Sequence, residues 1–354
     1  MQIEENKPLA PLTTFGVGGP ARWYVRASDE AEILEVVALA SERGAPLFVL
    51  GGGSNLLVSD SGFPGFVLHP VLMGVRAVEN GQTRIYEVAA GEDWDQFVQR
   101  AVDDGCSGIE CLAGIPGTVG GTPVQNVGAY GQEVASSIER VRAFDLRTKS
   151  FVEFTGEECG FSYRRSRFNS TDRGRYLVTR VDYRLTPGGV PTIRYPDLQR
   201  AIASNGAGNQ GRPLAEVAAA VRAVRSAKGM LLVGDDPDCR SAGSFFKNPI
   251  VTMEEAAEIA KKCGKEPPRF PIAPDGDSPG LTKIPAAWLI EQAGFSRGYR
   301  LGAAGISSRH TLALVNLGGA TANEILVLAA HITEAVNTRF GVMLEREPVL
   351  VGFD

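Results

Sequence analysis

The stretch Gly51-Gly52-Gly53-Ser54-Asn55-Leu56-Leu57 decides the fold, because it directly follows a short apolar strand predicted at Leu47–Leu50. A glycine cluster brings its backbone N–H groups against a ligand with no Cβ in the way, and successive amides form a concavity that binds anions. The stretch lacks the Gly-x-Gly-x-x-Gly spacing of a Rossmann fold and the Gly-Lys-Ser/Thr ending of a P-loop. Residues 54–58 also continue as an apolar segment instead of opening a helix. Both common nucleotide-binding folds are therefore disfavoured.

A second glycine-rich stretch runs Ala113-Gly114-Ile115-Pro116-Gly117-Thr118-Val119-Gly120-Gly121-Thr122-Pro123-Val124-Gln125-Asn126-Val127-Gly128-Ala129-Tyr130-Gly131. A surface turn would explain either stretch alone. Two such stretches, each with short polar side chains, favour a large dinucleotide that is bound along its length.

The totals limit the classes of partner. A chain of 354 residues predicts two or three domains, and a net charge of −5 disfavours nucleic acid as a partner. We expect no membrane insertion, because no apolar run approaches the roughly 18 residues that span a bilayer, and the N-terminus does not resemble a signal peptide. Five scattered cysteines indicate reduced thiols in the cytoplasm, and three distant histidines predict no metal site.

Hydrophobic periodicity predicts an α+β fold with a domain boundary near residue 212. In the first predicted helix we expect Asp29 to be the N-cap, because Glu32 can then reach back to complete a capping box. Loops are predicted at Ser204–Gln210 and Pro267–Pro279. The predicted helices are Asp29–Arg43, Trp94–Asp103, Pro213–Ala227, Met253–Cys263, Pro285–Gly294 and Thr321–Phe340, and the predicted strands are Ala21–Arg26, Leu47–Leu50, Phe66–Leu68, Ile85–Ala90, Ile138–Leu146, Ser150–Thr155 and Leu177–Leu185.

Three further segments contain candidate chemistry. Tyr163–Phe168 carries three arginines, which suit carboxylate or phosphate recognition but would also suit a solvated strand face. Ser244, within Ser241–Pro249, is not in a nucleophile elbow; its hydroxyl is either a proton donor or a cap beside core aromatics. Glu345 and Glu347 project to the same side of a predicted strand, where they are either solvated or, if one is buried, an acid.

Taken together and in this order, the motifs resemble the UDP-N-acetylenolpyruvoylglucosamine reductase family, from Thr13 to Gly352. The resemblance implies a flavoenzyme of peptidoglycan synthesis that uses NADPH and bound FAD to reduce the enolpyruvyl ether of a UDP-sugar to UDP-N-acetylmuramate. It also implies a two-part FAD-binding module of the vanillyl-alcohol oxidase type and a separate α+β substrate-binding domain. The implied divisions are residues 1–70 with 343–354 returning to them, residues 71–212, and residues 213–342.

The resemblance further implies a role for individual residues. Ser244 would protonate the enol intermediate, Arg164 would lie near the substrate carboxylate, and Glu347 would be the catalytic glutamate. Glu345 is the less favoured glutamate, although the family's proline position does not match here. The implied substrate-binding residues are Tyr195 (the loop tyrosine of the family's longer type), Lys228, Asn248 and, by position alone, His310. The implied FAD-binding residues are Gly51, Gly52, Gly53, Ser54, Asn55, Pro116, Gly117, Val119, Gly120, Gly121, Gln125, Asn126, Gly128, Ala129 and Tyr130.

Two alternatives stay open at this point. One is an FAD-linked oxidase of the same fold that acts on another alcohol or sugar, although neither glycine loop contains a histidine for covalent flavin attachment. The other is a binding module without catalysis, which would have no use for a proton donor. For the reductase we expect a cytoplasmic monomer whose partner is the small-molecule substrate.

Overall fold

The predicted helices are present in the structure, a computed structural model that describes residues 1–203, 211–272 and 280–353. The predicted loop at Ser204–Gln210, and residues 273–279 of the second predicted loop, lie outside the described residues. The two helices that the periodicity did not predict are α3 and α4. The α-helices are α1 (Glu30–Glu42), α2 (Trp94–Asp103), α3 (Thr122–Gln125), α4 (Pro196–Ala203), α5 (Leu214–Ala227), α6 (Met253–Cys263), α7 (Ala286–Gln292) and α8 (Ala322–Phe340).

All the predicted strands are also present, within a few residues of the predicted ends. The strands are β1 (Ile3–Pro8), β2 (Pro20–Ala27), β3 (Leu47–Val49), β4 (Leu56–Val58), β5 (Phe63–Pro70), β6 (Val75–Asn80), β7 (Thr83–Ala89), β8 (Cys106–Ser107), β9 (Gly128–Ala129), β10 (Gln132–Glu133), β11 (Ile138–Asp145), β12 (Ser150–Thr155), β13 (Tyr176–Pro187), β14 (Ile250–Thr252), β15 (Leu281–Lys283), β16 (Arg300–Leu301), β17 (Ala304–Ile306), β18 (Leu314–Asn316) and β19 (Val349–Val351).

The chain divides into two units. The first unit consists of Met1–Lys7, Ala21–Gly52 and Pro64–Ala227, and the second consists of Pro8–Pro20, Gly53–Phe63 and Lys228–Asp354. The domain boundaries expected at residues 70, 212 and 342 stay predictions.

The first unit is built on two main sheets. One has the strand order β1-β2-β5-β3, with β3 parallel to β5. The other has the order β12-β11-β13-β7-β6, and each neighbouring pair is antiparallel. Its core contains a group of aromatic rings whose centroids lie 5.1–5.9 Å apart, which are Tyr86, Trp94, Phe97 and Tyr183.

Helix α1 packs in the first unit as its sequence predicts. Its apolar face is buried, and the Asp29 carboxylate accepts a hydrogen bond from the Glu32 N–H at 2.8 Å, so Asp29 is the N-cap. The prediction of a capping box, in which the Glu32 side chain would accept from the Asp29 N–H, was wrong. The Glu32 carboxylate instead accepts from the N–H (2.7 Å) and the hydroxyl (2.9 Å) of Ser28. Ser28 is preferred because it offers two donors, whereas the Asp29 backbone offers one.

The second unit packs around α8. Thr321 and Glu324 form the capping box at the start of α8, and the helix ends at Gly341, whose φ of 77° is left-handed. The Asp60 carboxylate also accepts from the first amides of this helix, at 2.7 and 3.1 Å. Strand β19 pairs in parallel with β4, so the C-terminal segment packs beside residues 53–63. Among the described helices, none is both long and apolar enough to cross a lipid bilayer.

Candidate active site

The two glycine-rich loops touch each other through their backbones in the first unit. A Cβ added to Gly52 would lie 2.5 Å from the Cα of Gly117 and 3.1 Å from the N of Thr118. A Cβ on Gly51 would lie 3.2 Å from the Thr118 hydroxyl. Because 2.5 Å is far inside van der Waals contact, Gly52 is required for this approach.

Only part of the second loop has amides to offer a ligand. The N–H groups of Val119 and Gly120 donate to backbone carbonyls of the segment before α2, both at 2.9 Å, and Gly121 donates to Thr118 at 3.0 Å. Among the described residues, the amides of Gly52, Gly117 and Thr118 find no acceptor. The first unit therefore presents three clustered donors, one of which, Thr118, the sequence analysis missed. This donor set suits a diphosphate.

The remaining part of the first loop belongs to the second unit. Gly53 has a φ of 64°, and a Cβ there would lie 1.9 Å from the Leu12 carbonyl oxygen. The Asn55 side chain donates to the backbone carbonyl of Glu347 at 3.3 Å, and the Asn55 carbonyl accepts from Val349 at 3.0 Å. Asn55 therefore fixes the start of β19.

Arg164 lies in a tight turn of the first unit. Ser162 and Arg165 exchange two backbone hydrogen bonds, of 2.9 and 3.0 Å, across the turn, and Arg164 between them has a φ of 54°. Its guanidinium donates to the carbonyls of Gly128 (2.7 Å) and Asn126 (3.5 Å). This places the predicted carboxylate-binding arginine against the second glycine-rich stretch.

Two predicted ligand-binding tyrosines lie together in the first unit. The rings of Tyr130 and Tyr195 meet edge to face, with centroids 5.5 Å apart. Burial raises the pKa of Tyr130 to about 12 and also raises the pKa of Tyr195, so both hydroxyls stay protonated near neutral pH.

Arg225 is a buried neighbour of Tyr130 that the sequence analysis missed. Its Nε donates to the Gly114 carbonyl at 2.9 Å, and burial lowers the pKa of its guanidinium. The signal was available, because Arg225 follows Val221 by one helical turn and so falls on the apolar face of α5. It anchors the start of the second glycine-rich stretch.

Ser244 and Glu347 lie on neighbouring segments of the second unit. The Glu347 N–H donates to the Phe245 carbonyl at 2.8 Å, the Lys247 N–H donates to the Glu345 carbonyl at 2.8 Å, and the residues between them form an antiparallel bridge. The Ser244 side chain is half-buried, and its hydroxyl has no hydrogen-bond partner within residues 1–203, 211–272 and 280–353.

Glu345 and Glu347 precede β19 instead of lying in the predicted strand, and they differ in their surroundings. Glu345 forms an ion pair with Lys247, with 2.6 Å between Oε1 and Nζ, and its side chain is 72% exposed. Glu347 is half-buried. Glu345 thus forms a solvated ion pair, whereas Glu347 is less exposed and bonds through its backbone to the residue after Ser244.

Asp238 organises the loop that carries His310. Its carboxylate accepts from the Ser308 N–H (2.8 Å), the Ser308 hydroxyl (2.6 Å) and the Arg309 Nε (3.0 Å). Burial opposes ionisation, but hydrogen bonds from these groups and from Ser307 outweigh it and hold the pKa of Asp238 below its usual range. Sequence reasoning did not identify Asp238, whose partners lie some 70 residues away.

This loop is joined to the Ser244 segment. The His310 Nδ1 accepts from the Leu312 N–H at 3.0 Å, and the Leu312 carbonyl accepts from the Phe245 N–H at 2.8 Å. In neutral His310 the proton is therefore on Nε2. The His310 loop is thus hydrogen-bonded to Phe245, the residue that follows Ser244.

The other predicted substrate residues of the second unit have structural contacts as well. The Asn248 Oδ1 accepts from the Ala286 N–H at 2.9 Å and so caps α7. Lys228 is half-buried and precedes Gly229, where a Cβ would lie 2.9 Å from the Cβ of Asp238. In the part of the chain that the structure describes, no group of His, Cys, Asp or Glu side chains is arranged to hold a metal ion.

The other predicted FAD-binding residues differ in exposure. Asn126 is fully buried, and its side-chain amide bonds within the protein. The Val119 side chain is also buried in the core, whereas Ser54, Pro116, Gln125 and Ala129 are half-buried.

Known proteins match both parts of the chain. Residues 21–149 match the family model "FAD binding domain", and residues 235–351 match "UDP-N-acetylenolpyruvoylglucosamine reductase, C-terminal domain". A UDP-N-acetylenolpyruvoylglucosamine reductase of Streptomyces coelicolor is 46% identical over 99% of this chain and 91% of its own length. Its counterpart from Thermobifida fusca is 45% identical over 98% and 97%. The crystal structure of the reductase from Thermus caldophilus aligns over 99% of both chains with a TM-score of 0.66 at 29% identity. These matches confirm the predicted fold class, an FAD-binding module with a separate C-terminal domain.

Proposed function

This chain belongs to the UDP-N-acetylenolpyruvoylglucosamine reductase family, and on that premise we propose that it reduces the enolpyruvyl ether of its UDP-sugar to UDP-N-acetylmuramate for peptidoglycan synthesis. FAD is its cofactor and NADPH its reductant. One observation carries the proposal: the backbone of residues 245–247 pairs with that of residues 345–347 in the second unit, which brings Glu347 to the residue that follows Ser244.

The glycine loops fit FAD. In the first unit, the amides of Gly52, Gly117 and Thr118 would hold a diphosphate, because their donors have no acceptor among the described residues. When bound, FAD supplies the hydride transfer between NADPH and the enolpyruvyl group. The protein contributes binding, orientation and the control of charge and protons.

Arg164, and Glu347 in its protonated form, would stabilise the developing negative charge. Addition of a hydride to the β-carbon of an enolpyruvyl group builds negative charge on the α-carbon and its carboxylate. A guanidinium donates two parallel charge-assisted bonds to a carboxylate, and Arg164 is held for this task by the carbonyls of Gly128 and Asn126. Preorganised donors of this kind contribute on the order of 3 kcal/mol each.

Ser244 completes the reaction by donating a proton to the α-carbon. A serine hydroxyl is a weak acid, so it serves here only because the carbanionic intermediate is strongly basic. Its half-buried position and its lack of a hydrogen-bond acceptor among the described residues support this role.

We assign substrate binding to Tyr195, Lys228, Asn248 and His310. Burial keeps the Tyr195 hydroxyl protonated, and neutral His310 carries its proton on Nε2, so both present donors that suit the oxygens of a UDP-sugar. Lys228 adds a positive charge for the diphosphate. We also propose that the enzyme is a monomer of the cytoplasm with no nucleic-acid partner. Its net charge of −5 disfavours nucleic acid, and its free cysteines suit a reducing compartment.

The test follows each half-reaction separately under anaerobic stopped-flow conditions. The purified protein should bind FAD, NADPH should bleach the flavin, and UDP-N-acetylenolpyruvoylglucosamine should restore its colour. Ser244→Ala should leave bleaching intact and slow the recovery by about 100-fold or more, as expected for the loss of a general acid. Ser296→Ala, which removes an exposed hydroxyl elsewhere in the second unit, is the control and should recover at a rate near that of the wild type. Normal recovery in Ser244→Ala would remove Ser244 from the mechanism, and oxygen consumption without substrate would favour the oxidase alternative.

A further inference from the structure

Asn126 has no exposed surface and uses its side chain within the protein. It follows α3 in the left-handed conformation, with a φ of 43°. Its Nδ2 donates to the Glu133 carboxylate (2.8 Å) and to the Ser162 carbonyl (3.0 Å), and its Oδ1 accepts from the Ala135 N–H (3.2 Å). Both N–H donors of the side chain are therefore engaged by the protein, which argues against a side-chain contact with FAD.

The same residue holds the turn of Arg164 at two points. The side chain of Asn126 binds the carbonyl of Ser162, the first residue of the turn, and its own carbonyl accepts from the Arg164 guanidinium. The neighbouring carbonyl of Gly128 accepts a second bond from that guanidinium. Hydrogen bonds to the segment that begins at Asn126 thus hold both the turn that contains Arg164 and the Arg164 guanidinium.

The turn needs such support because its conformation is uncommon. A φ of 54° is disfavoured for arginine and is kept only where the surrounding structure enforces it. From these contacts we infer that Asn126 is a positioning residue for Arg164 and not a cofactor ligand. The inference rests on the proposed role of Arg164 at the substrate carboxylate.

Two substitutions separate the backbone of Asn126 from its side chain. Asn126→Gly keeps the left-handed conformation accessible and removes the side chain. Asn126→Asp keeps the shape, removes both N–H donors and sets a second carboxylate against Glu133. The matched control is Asn6→Gly, because Asn6 has a φ of 52°, an exposed side chain and no side-chain hydrogen bond to a described residue. Thermal unfolding of each holoenzyme first establishes that it folds.

The measurements are the FAD dissociation constant and the rate at which UDP-N-acetylenolpyruvoylglucosamine reoxidises the reduced enzyme. Both Asn126 variants should slow reoxidation by about tenfold or more, because each loses the buried hydrogen bond to the Ser162 carbonyl, and should change FAD affinity by less than about twofold. In an Arg164→Lys background, the same substitutions should have little further effect, because the residue that they misplace is already impaired. Asn6→Gly should match the wild type.

Three results would overturn the inference. They are weaker FAD binding with normal reoxidation, effects that add to those of Arg164→Lys, and normal reoxidation in both Asn126 variants. Failure of the proposed function looks different, since wild-type enzyme would then not be reoxidised by this substrate at all.

Discussion

Replacement of Asp238 by asparagine tests whether this carboxylate holds the loop that carries His310. Asparagine can still accept from the Ser308 N–H, but its NH₂ group would face the Ser308 hydroxyl and the Arg309 Nε, both of which now donate to the carboxylate. A hydrogen bond to a charged group contributes about 1.5–3 kcal/mol. Arg309 keeps its ion pair with Asp236, which offsets part of the loss, so we expect a net cost of about 2–3 kcal/mol.

The assay is thermal unfolding of the holoenzyme, followed across pH. A cost of that size lowers Tm by roughly 4–12 °C for a unit of this size. Because the native pKa of Asp238 is depressed, its contribution to the free energy of unfolding is complete above the unfolded pKa of about 3.9 and is lost as the pH falls through the native pKa. The difference in Tm between the wild type and Asp238→Asn should therefore be constant from about pH 5 to 8 and narrow below about pH 4.

Asp236→Asn is the matched control. Asp236 is the more exposed carboxylate of the pair, and an asparagine there still accepts from the Asp238 N–H, so its loss should cost about 1 kcal/mol or less. The reasoning would be refuted by an unchanged Tm in Asp238→Asn, by a larger cost in Asp236→Asn, or by a difference in Tm that does not narrow in acid.

Two further predictions concern Gly52 in the first glycine loop and the two glutamates that precede β19. Gly52→Ala would force its methyl group into the Gly117 backbone, so FAD affinity should fall by about tenfold or more in a fluorescence titration; undiminished affinity would place the cofactor elsewhere. Glu347→Gln should slow reoxidation by the UDP-sugar, whereas Glu345→Gln should have little effect, because Glu345 forms only an exposed ion pair with Lys247. Slower reoxidation in Glu345→Gln than in Glu347→Gln would make Glu345 the catalytic glutamate.

Much of the fold could be predicted from local pattern. The helix Met253–Cys263 and the strand Ser150–Thr155 have the predicted bounds, because capping residues and apolar periodicity act over one turn or one strand. Strand β1 was missed because its sequence, Ile-Glu-Glu-Asn-Lys-Pro, is polar and does not alternate. The three-residue strands near the C-terminus are too short to show any period.

The site was less accessible to such reasoning. The glycine content of the second loop predicted an anion cradle, but nothing local could show that the amides of Val119 and Gly120 are used by the segment before α2. The pairing of the Phe245 segment with Glu347 joins residues about a hundred positions apart, and only the family resemblance linked them. Long-range contacts of this kind depend on topology, which single-sequence periodicity does not contain.

The parallel pairing of β4 with β19 has a consequence for biosynthesis. Asn55 and the carbonyl of Glu347 that it binds are separated by 292 residues, so residues 53–63 leave the ribosome long before their partner strand exists. Domains that fold during synthesis do so from the N-terminus onward, but the second unit cannot close until residues 349–351 have been synthesised. Closing so long a loop is entropically costly and slow. A nonsense codon at position 347 would therefore remove Glu347 and the strand that completes this unit, leaving β4 as an unpaired edge strand exposed to aggregation.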